Sequence, residues 1–285
     1  MAELITKELD PTYGTIQKLF ARNSDLIAFC EDKVVQIAAD KDIIFNADGN
    51  PQLVASNKVL GQSRPFVGEY GISKNPESFA SSSYRAYFTD KQRGAVLRLS
   101  MDGLTPISNA GMKDWFRDNL KDSVVCIGSY DGRKEEYNLT IHTYNASSPA
   151  NKNVYTLSYS ENAKGWISFK SWIKESGVSL SNDYYTFKNS KMHLHHANST
   201  YNNFYSSQYK STITPIFNDS SGTVKHFDTV SYEGTQSKVI KFTNEVVDGV
   251  TYNDGEYYKA IAKNGWYGDS ITTDLQEGYV KEFID

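Results

Sequence analysis

Four stretches of the chain share one pattern: a short apolar-alternating run, a tight turn of charged or Gly/Asn residues, and a second alternating run. Leu26–Cys30 leads to Val34–Ile37, Ala86–Thr89 to Ala95–Leu99, Val124–Ile127 to Tyr137–Ile141, and Tyr185–Phe187 to Met192–Leu194. Alternation with period 2 across a short loop predicts an antiparallel hairpin with one buried face. Repeated hairpins predict an all-β fold, with propeller-like or blade-like antiparallel sheets and a few short helices. Such sheets serve more readily as surfaces and scaffolds than as catalytic clefts. A full propeller needs at least four four-stranded blades. The strands here total about that many, which predicts an incomplete propeller or one completed by another chain.

Two helical segments stand out from this pattern. Asp10-Pro11 supplies an N-cap and a first-turn Pro, and Ile16, Leu19 and Phe20 follow at i, i+3, i+4, predicting one short helix. Met112, Trp115, Phe116 and Leu120 predict an amphipathic helix over 110–121. Its two rings are expected to be buried against hairpin residues such as Leu97 and Leu99. Residues 61–78, with Gly61, Pro65, Gly68, Gly71 and Pro76, read as ordered loop. So does Phe45–Pro51. Met101-Asp102-Gly103 turns the chain into a strand over Leu104–Ile107, and Asp131-Gly132 turns the third hairpin.

The polar, aperiodic run Asn145–Asn153 reads as a linker. It divides the chain into a propeller-like unit at 1–145 and a second antiparallel β domain at 150–285. Beyond it, strands are expected at Val154–Tyr159, Gly165–Trp172, Thr212–Phe217 and Thr229–Tyr232. Val239–Val247 is expected to pair with Glu256–Ile261 across Asp254-Gly255. The last run, Gly278–Asp285, stops without a turn or polar tail, as a segment of something longer would.

Composition narrows the function. At 285 residues the chain can bury one large core or two modest ones. Its 20 Tyr suit half-buried strands, where the ring packs and the hydroxyl stays wet. A net charge of −4 gives no footprint for gripping nucleic acid and suits a surface that DNA passes without sticking. Cys30 and Cys126 sit inside apolar strands and read as buried free thiols. The opening Met1–Asp10 lacks the apolar core of a signal peptide, and no apolar run approaches the ~20 residues of a spanning helix. A soluble product made in a reducing compartment is expected, so the sequons at Asn138, Asn145, Asn198 and Asn218 need no glycan.

The candidate chemistry is thin. Ser129-Tyr-Asp131-Gly132-Arg-Lys loosely resembles the Asp-box turn of sialidase-type propellers, but Gly falls one place early and no Trp follows. Such boxes are structural turns in any case. In Met192-His-Leu-His-His196, His193 and His195 share one strand face and Met192 and Leu194 the other. Two imidazoles at i, i+2 could hold Zn²⁺ or Ni²⁺ with a third ligand from a neighbour; a solvated polar face is the expectation. His142 and His226 add no motif. Asn46-Ala-Asp48-Gly49-Asn50 has alternate oxygen ligands like part of a calcium loop, but Asn57 and Lys58 stand where its acidic residue belongs, so it reads as a turn. Nucleophile elbow, Walker loop, dinucleotide fingerprint and zinc-protease helix are absent from the sequence. No carboxylate pair singles itself out for glycoside hydrolysis. No catalytic, cofactor-binding or metal-binding residue is assigned, and no cofactor is expected.

Longer motifs carry a resemblance. They begin with Tyr13-Gly-Thr-Ile-Gln-Lys-Leu19 and Phe29-Cys-Glu-Asp-Lys-Val34. Gly68-Glu-Tyr-Gly-Ile-Ser-Lys-Asn-Pro-Glu-Ser-Phe79 with Tyr87-Phe-Thr-Asp-Lys-Gln-Arg-Gly-Ala-Val-Leu-Arg-Leu99 is the most specific. Gly165-Trp-Ile-Ser-Phe169, Tyr185-Thr-Phe-Lys-Asn-Ser-Lys191, Asn202-Asn-Phe-Tyr205, Phe217-Asn-Asp219, Tyr232-Glu-Gly234 and Thr273-Asp-Leu-Gln-Glu-Gly278 follow in order. From about Tyr13 onward the chain resembles the tail-stabilisation, or muzzle, proteins of short-tailed bacteriophages, including the crAss-like phages.

The resemblance implies a non-enzymatic virion protein of the tail or neck, with propeller-like β domains, made in the host bacterial cytoplasm. Its implied partners are portal, neck-ring and tail proteins and further copies of itself in a ring around the DNA channel, with no membrane and no specific DNA binding. Members of that family are usually longer, so this chain is expected to be a fragment, a split product or a compact variant. The family offers no catalytic residues to carry over. Two rival readings are a receptor-recognising tail protein that stacks Tyr and Trp on glycans, and a propeller glycoside hydrolase.

Overall fold

A computed structural model describes residues 6–23, 25–45, 51–143, 153–217, 220 and 222–225, together with Trp266 and short strands at Glu245–Val247, Val250–Tyr252, Ser270–Thr272 and Glu277–Tyr279. The chain divides into two units, Met1–Ile213 and Thr214–Asp285.

In the first unit, strands pair with their sequence neighbours as up-and-down antiparallel sheets. The first sheet is β1 (Ile16–Arg22), β2 (Asp25–Cys30), β3 (Val34–Phe45) and β4 (Pro51–Pro65). The second is β5 (Ala80–Ser82), β6 (Arg85–Asp90), β7 (Ala95–Ser100) and β8 (Gly103–Pro106). The third is β9 (Ser123–Asp131), β10 (Glu136–Thr143), β11 (Asn153–Ser160) and β12 (Gly165–Lys170). The fourth has three strands, β13 (Ser176–Leu180), β14 (Asp183–Lys188) and β15 (Lys191–Leu194). All four hairpins expected from the alternation are present. In the second unit, Glu245–Val247 pairs with Val250–Tyr252, and Ser270–Thr272 with Glu277–Tyr279.

The sheets bury apolar faces against one another in chain order. Ile27, Phe29 and Val34 of the first pack on Ala86, Phe88, Leu97 and Leu99 of the second. Tyr87 and Val96, from the opposite face of the second, pack on Tyr137, Leu139, Ile141 and Leu157 of the third. Gly128 lets β9 close on the 3-10 turn Pro76–Ser78 that leads into the second sheet, since a Cβ there would stand 1.9 Å from the Ser78 carbonyl oxygen. Cys30 and Cys126 are buried free thiols in different clusters. The sheets are blade-like, but the described residues contain no closed propeller.

Several expectations are corrected. The Asp10-Pro11 start opens only a 3-10 turn, Pro11–Tyr13, capped by the Asp10 side chain. Gly14 (φ 75°) ends it, and Ile16–Arg22 is strand β1, not helix. The i, i+3, i+4 stripe leaves Ile16 and Leu19 exposed. Residues 61–65 belong to β4, and loop begins only after Pro65. The amphipathic helix is α1 (Lys113–Lys121), and Phe116 is fully buried, but against Val96, Ile107 and Trp166. Leu97 and Leu99 lie in the other cluster because alternation turns them to the opposite face of β7.

The strands flanking the expected linker, β10 and β11, pair from Glu136–Ser160 to Thr143–Asn153, within one sheet. The units divide at Ile213/Thr214 instead. A polar, aperiodic run has the same composition whether it joins two domains or two strands. Residues 211–217 form no strand. Glu245–Val247 meets Val250–Tyr252 across Asp248-Gly249, a second Asp-Gly signal nearer than Asp254-Gly255. The expected turn at 46–50 and strands at Thr229–Tyr232 and Glu256–Ile261 lie outside the described residues, as does most of Gly278–Asp285.

Candidate functional site

The junction of the third and fourth sheets gathers the richest polar chemistry. The turn after β9 is built on Asp131, whose Oδ1 accepts the N–H groups of Arg133 (3.0 Å) and Lys134 (3.2 Å). Its Oδ2 meets His196 Nε2 at 2.7 Å. The Gly132 N–H donates to Ser179 Oγ (2.9 Å), which donates onward to the Tyr130 carbonyl (2.8 Å), tying β13 to this turn. Ser129 and Tyr184 hydroxyls lie 2.7 Å apart across the same junction. This segment is the Asp-box-like sequence, and its carboxylate shapes a turn.

Lys174, 1% exposed, sits just before the fourth sheet. Its Nζ donates to the carbonyls of Ile127 (3.1 Å) and Asn138 (3.1 Å) and to Thr140 Oγ1 (3.0 Å). Burial lowers its pKa to about 7. The side chain ties the segment entering β13 to β9 and β10.

His193 and His195 do share a face, but it is the packed one, which corrects the expectation of a solvated pair. Thr186 Oγ1 is 2.7 Å from His195 Nε2 and 2.8 Å from the Tyr205 hydroxyl. The His195 ring lies among Trp172, Tyr184 and Phe204. Burial first, then the neighbouring His196, lowers the His195 pKa to about 4. The His193 ring meets Tyr205 edge-on. The described residues contain no group of three or more His, Cys, Asp or Glu placed to hold a metal ion. It is the opposite face, with Met192 and Leu194, that is exposed.

Two further carboxylates pin sheets together. Asp90, fully buried, accepts the Gly71 N–H (3.2 Å), Ser73 Oγ (3.1 Å), the Arg93 N–H (3.0 Å) and the Arg93 guanidinium (3.0 Å). This holds the 71–73 loop to the β6–β7 turn. Glu161, between β11 and β12, accepts the Tyr87 hydroxyl (2.7 Å) and Arg98 (2.8 Å), with Arg85 at 3.9 Å. Burial, then the bond to Glu161, raises the Tyr87 pKa well above its usual value. Sequence reading missed Asp90, Glu161 and Lys174. The charged turn Asp90–Gly94 after an apolar run carried a faint signal, whereas a single Lys after Trp172-Ile173 carried none.

A cavity of ≈ 420 Å³ is lined by Val124, Val125, Ile127, His142, Ile173, Lys174, Glu175 and Lys188. Its one carboxylate, Glu175, accepts the Asn189 N–H at 2.9 Å. Glycoside hydrolysis takes two. The half-buried Trp115 and Tyr155 and the exposed Phe169 meet one another edge to face. No helix among the described residues is long and apolar enough to cross a membrane.

The model of the crassvirus muzzle protein matches residues 2–190, and that of the muzzle protein C-terminal domain matches residues 199–264. The chain belongs to the crassvirus muzzle protein family. No curated protein matches it. A muzzle protein is a structural component of the virion, and the geometry suits that part. Asp90, Asp131, Glu161 and Lys174 are each engaged in holding one segment of the muzzle fold to another.

Proposed function

We propose that the chain is a tail or neck component that stabilises the portal–tail assembly around the DNA exit channel. It acts without catalysis and binds other copies of itself in a ring, together with portal, neck-ring and tail proteins. The observation that carries this reading is the muzzle-family match over residues 2–190 and 199–264. A net charge of −4 supports a channel that does not grip DNA. Against the glycan-binding alternative, the rings of Trp115, Tyr155 and Phe169 pack edge to face on one another.

The test is to silence expression during infection and purify the particles. Heads that package DNA but leak it, or lack tails, are expected. Intact, infectious particles of unchanged composition would refute the role.

A further inference from the structure

The chain leaves the fourth sheet through a segment that is held to it chiefly by one side chain. After β15, residues 197–201 are exposed, and so are 206–208 and 210–217. Between them lie two short strands, β16 (Asn203–Phe204) and β17 (Ser207–Gln208), paired with each other in a sheet of their own. The Tyr209 N–H donates to the Asn202 carbonyl (2.9 Å), the Gln208 side chain to the Tyr201 carbonyl (2.8 Å), and the Asn202 side chain to Ser211 Oγ. These bonds stay inside the segment. A two-stranded hairpin of this length does not hold itself together in water.

Tyr205 supplies the anchorage. Its hydroxyl lies 2.8 Å from Thr186 Oγ1 of β14, and among the described residues this is the one hydrogen bond from 197–217 to the fourth sheet. Its ring meets the His193 ring edge-on at 4.6 Å, and Lys188 Nζ stands over its face at 4.9 Å. Phe204 adds a looser ring contact, to His195 at 6.2 Å. The backbone works against this residue. Tyr205 has φ 54° and Ser206 φ 66°, a left-handed pair. Such a turn favours Asn-Gly, and a bulky side chain in it is strained. The two turns within the fourth sheet place Ser181-Asn182 and Asn189-Ser190 at such angles, and Tyr205 is the one Tyr, Phe or Trp with positive φ among the described residues. The contacts of its side chain therefore outweigh an unfavourable turn, rather than the turn presenting the side chain.

We infer that residues 197–213 form a strap latched to the fourth sheet by Tyr205, and that opening the latch lengthens the tether of the second unit, which begins at Thr214. The latch joins the two family matches, since Thr186 and Lys188 lie in the one over 2–190 and Tyr205 in the one over 199–264. With the latch closed, the free chain before Thr214 is Thr212-Ile213, because Ser211 is tied to Asn202. With it open, all of 197–213 is free, a coil with an r.m.s. reach of roughly 20 Å. A segment with so few buried contacts opens at a lower free energy than the sheets, so both lengths are states of the folded chain. The inference concerns the chain by itself and stands whether or not the virion role does.

The experiment uses the full-length chain with Tyr205→Asn, which removes the ring and hydroxyl while suiting φ 54° better. Hydrogen exchange should quicken roughly tenfold or more across 202–209 and stay unchanged across 176–194. Spin labels are placed at Lys191→Cys and Thr214→Cys, both exposed positions, and the native thiols are buried. They should report one narrow distance with Tyr205 in place, and a broad, longer distribution with Tyr205→Asn. Exchange across 202–209 that is no faster in the variant would overturn the inference, because the turn and not the latch would then hold the hairpin. Exchange that quickens equally across 176–209 would also overturn it, by making Tyr205 an ordinary part of the sheet's packing. Faster exchange with an unchanged distance distribution would refute the lengthened tether.

Discussion

Lys174 makes the stability of the first unit rise with pH across neutrality. Burial holds its amine at about 7, against 10.5 for an ordinary lysine. Between pH 7 and pH 8 the unfolded chain keeps this proton while the folded chain releases most of it. The unfolded state binds more protons, so stability increases with pH. An unmatched proton gives ~1.4 kcal/mol per pH unit, and subtracting the proton the folded state still holds near pH 7 leaves a rise of about 1 kcal/mol over the window. The two carbonyls and the Thr140 hydroxyl favour the ammonium, which makes this an upper figure. Burial raises the thiols of Cys30 and Cys126, which draw stability down as pH rises above about 8 through the ordinary thiol range, setting the end of the window. With m of roughly 2 kcal/mol/M, the urea midpoint should climb by about 0.5 M between pH 7 and pH 8. Lys174→Met keeps the stem and removes the titrating amine, so its profile should be flat. Parallel slopes in the two chains would refute the assignment.

Phe116→Ala should cost about 3–5 kcal/mol in urea denaturation, and Trp115→Ala less, because Phe116 is fully buried and Trp115 only partly. A larger loss at Trp115 would contradict the helix orientation. His195 has a folded pKa of about 4, below the ordinary 6.5, so its contribution is complete above pH 6.5 and is lost as pH falls towards 4. Thermal melts across that range should lose up to about 3 kcal/mol, and His195→Gln should reduce the slope. Gly128→Ala should destabilise by about 1–3 kcal/mol as β9 is pushed off the Ser78 turn, while Gly165→Ala, whose nearest atom would be the Ala163 carbonyl oxygen at 3.7 Å, meets no such contact.

What the sequence revealed and what it hid follow from the range of each signal. The four hairpins were legible because alternation and turn chemistry are local, and Leu26–Cys30 or Ala95–Leu99 carry both within a few residues. The first strand was misread because Ile16, Leu19 and Phe20 fit a helical stripe while the partner that makes them a strand, β2, lies beyond the window. Alternation at 192–195 separated the faces correctly without saying which was buried. That depends on Ser129 and Tyr130, which lie more than fifty residues earlier. Lys174 and Glu161 were invisible because their partners come from other sheets, and Asp90 showed only faintly because Arg93 is local while Gly71 and Ser73 lie some twenty residues earlier. The family resemblance was carried by long ordered motifs, which survive where spacing of single catalytic residues is uninformative.

The central claim is that this chain is built into the virion as a tail or neck structural protein. Imaging the intact particle at side-chain resolution tests it most directly. The account predicts copies of the meander stack around the DNA channel below the portal, with Phe116 and Tyr137 buried in the described core. Particles in which that density belongs to other chains, and from which this chain is absent, would contradict it.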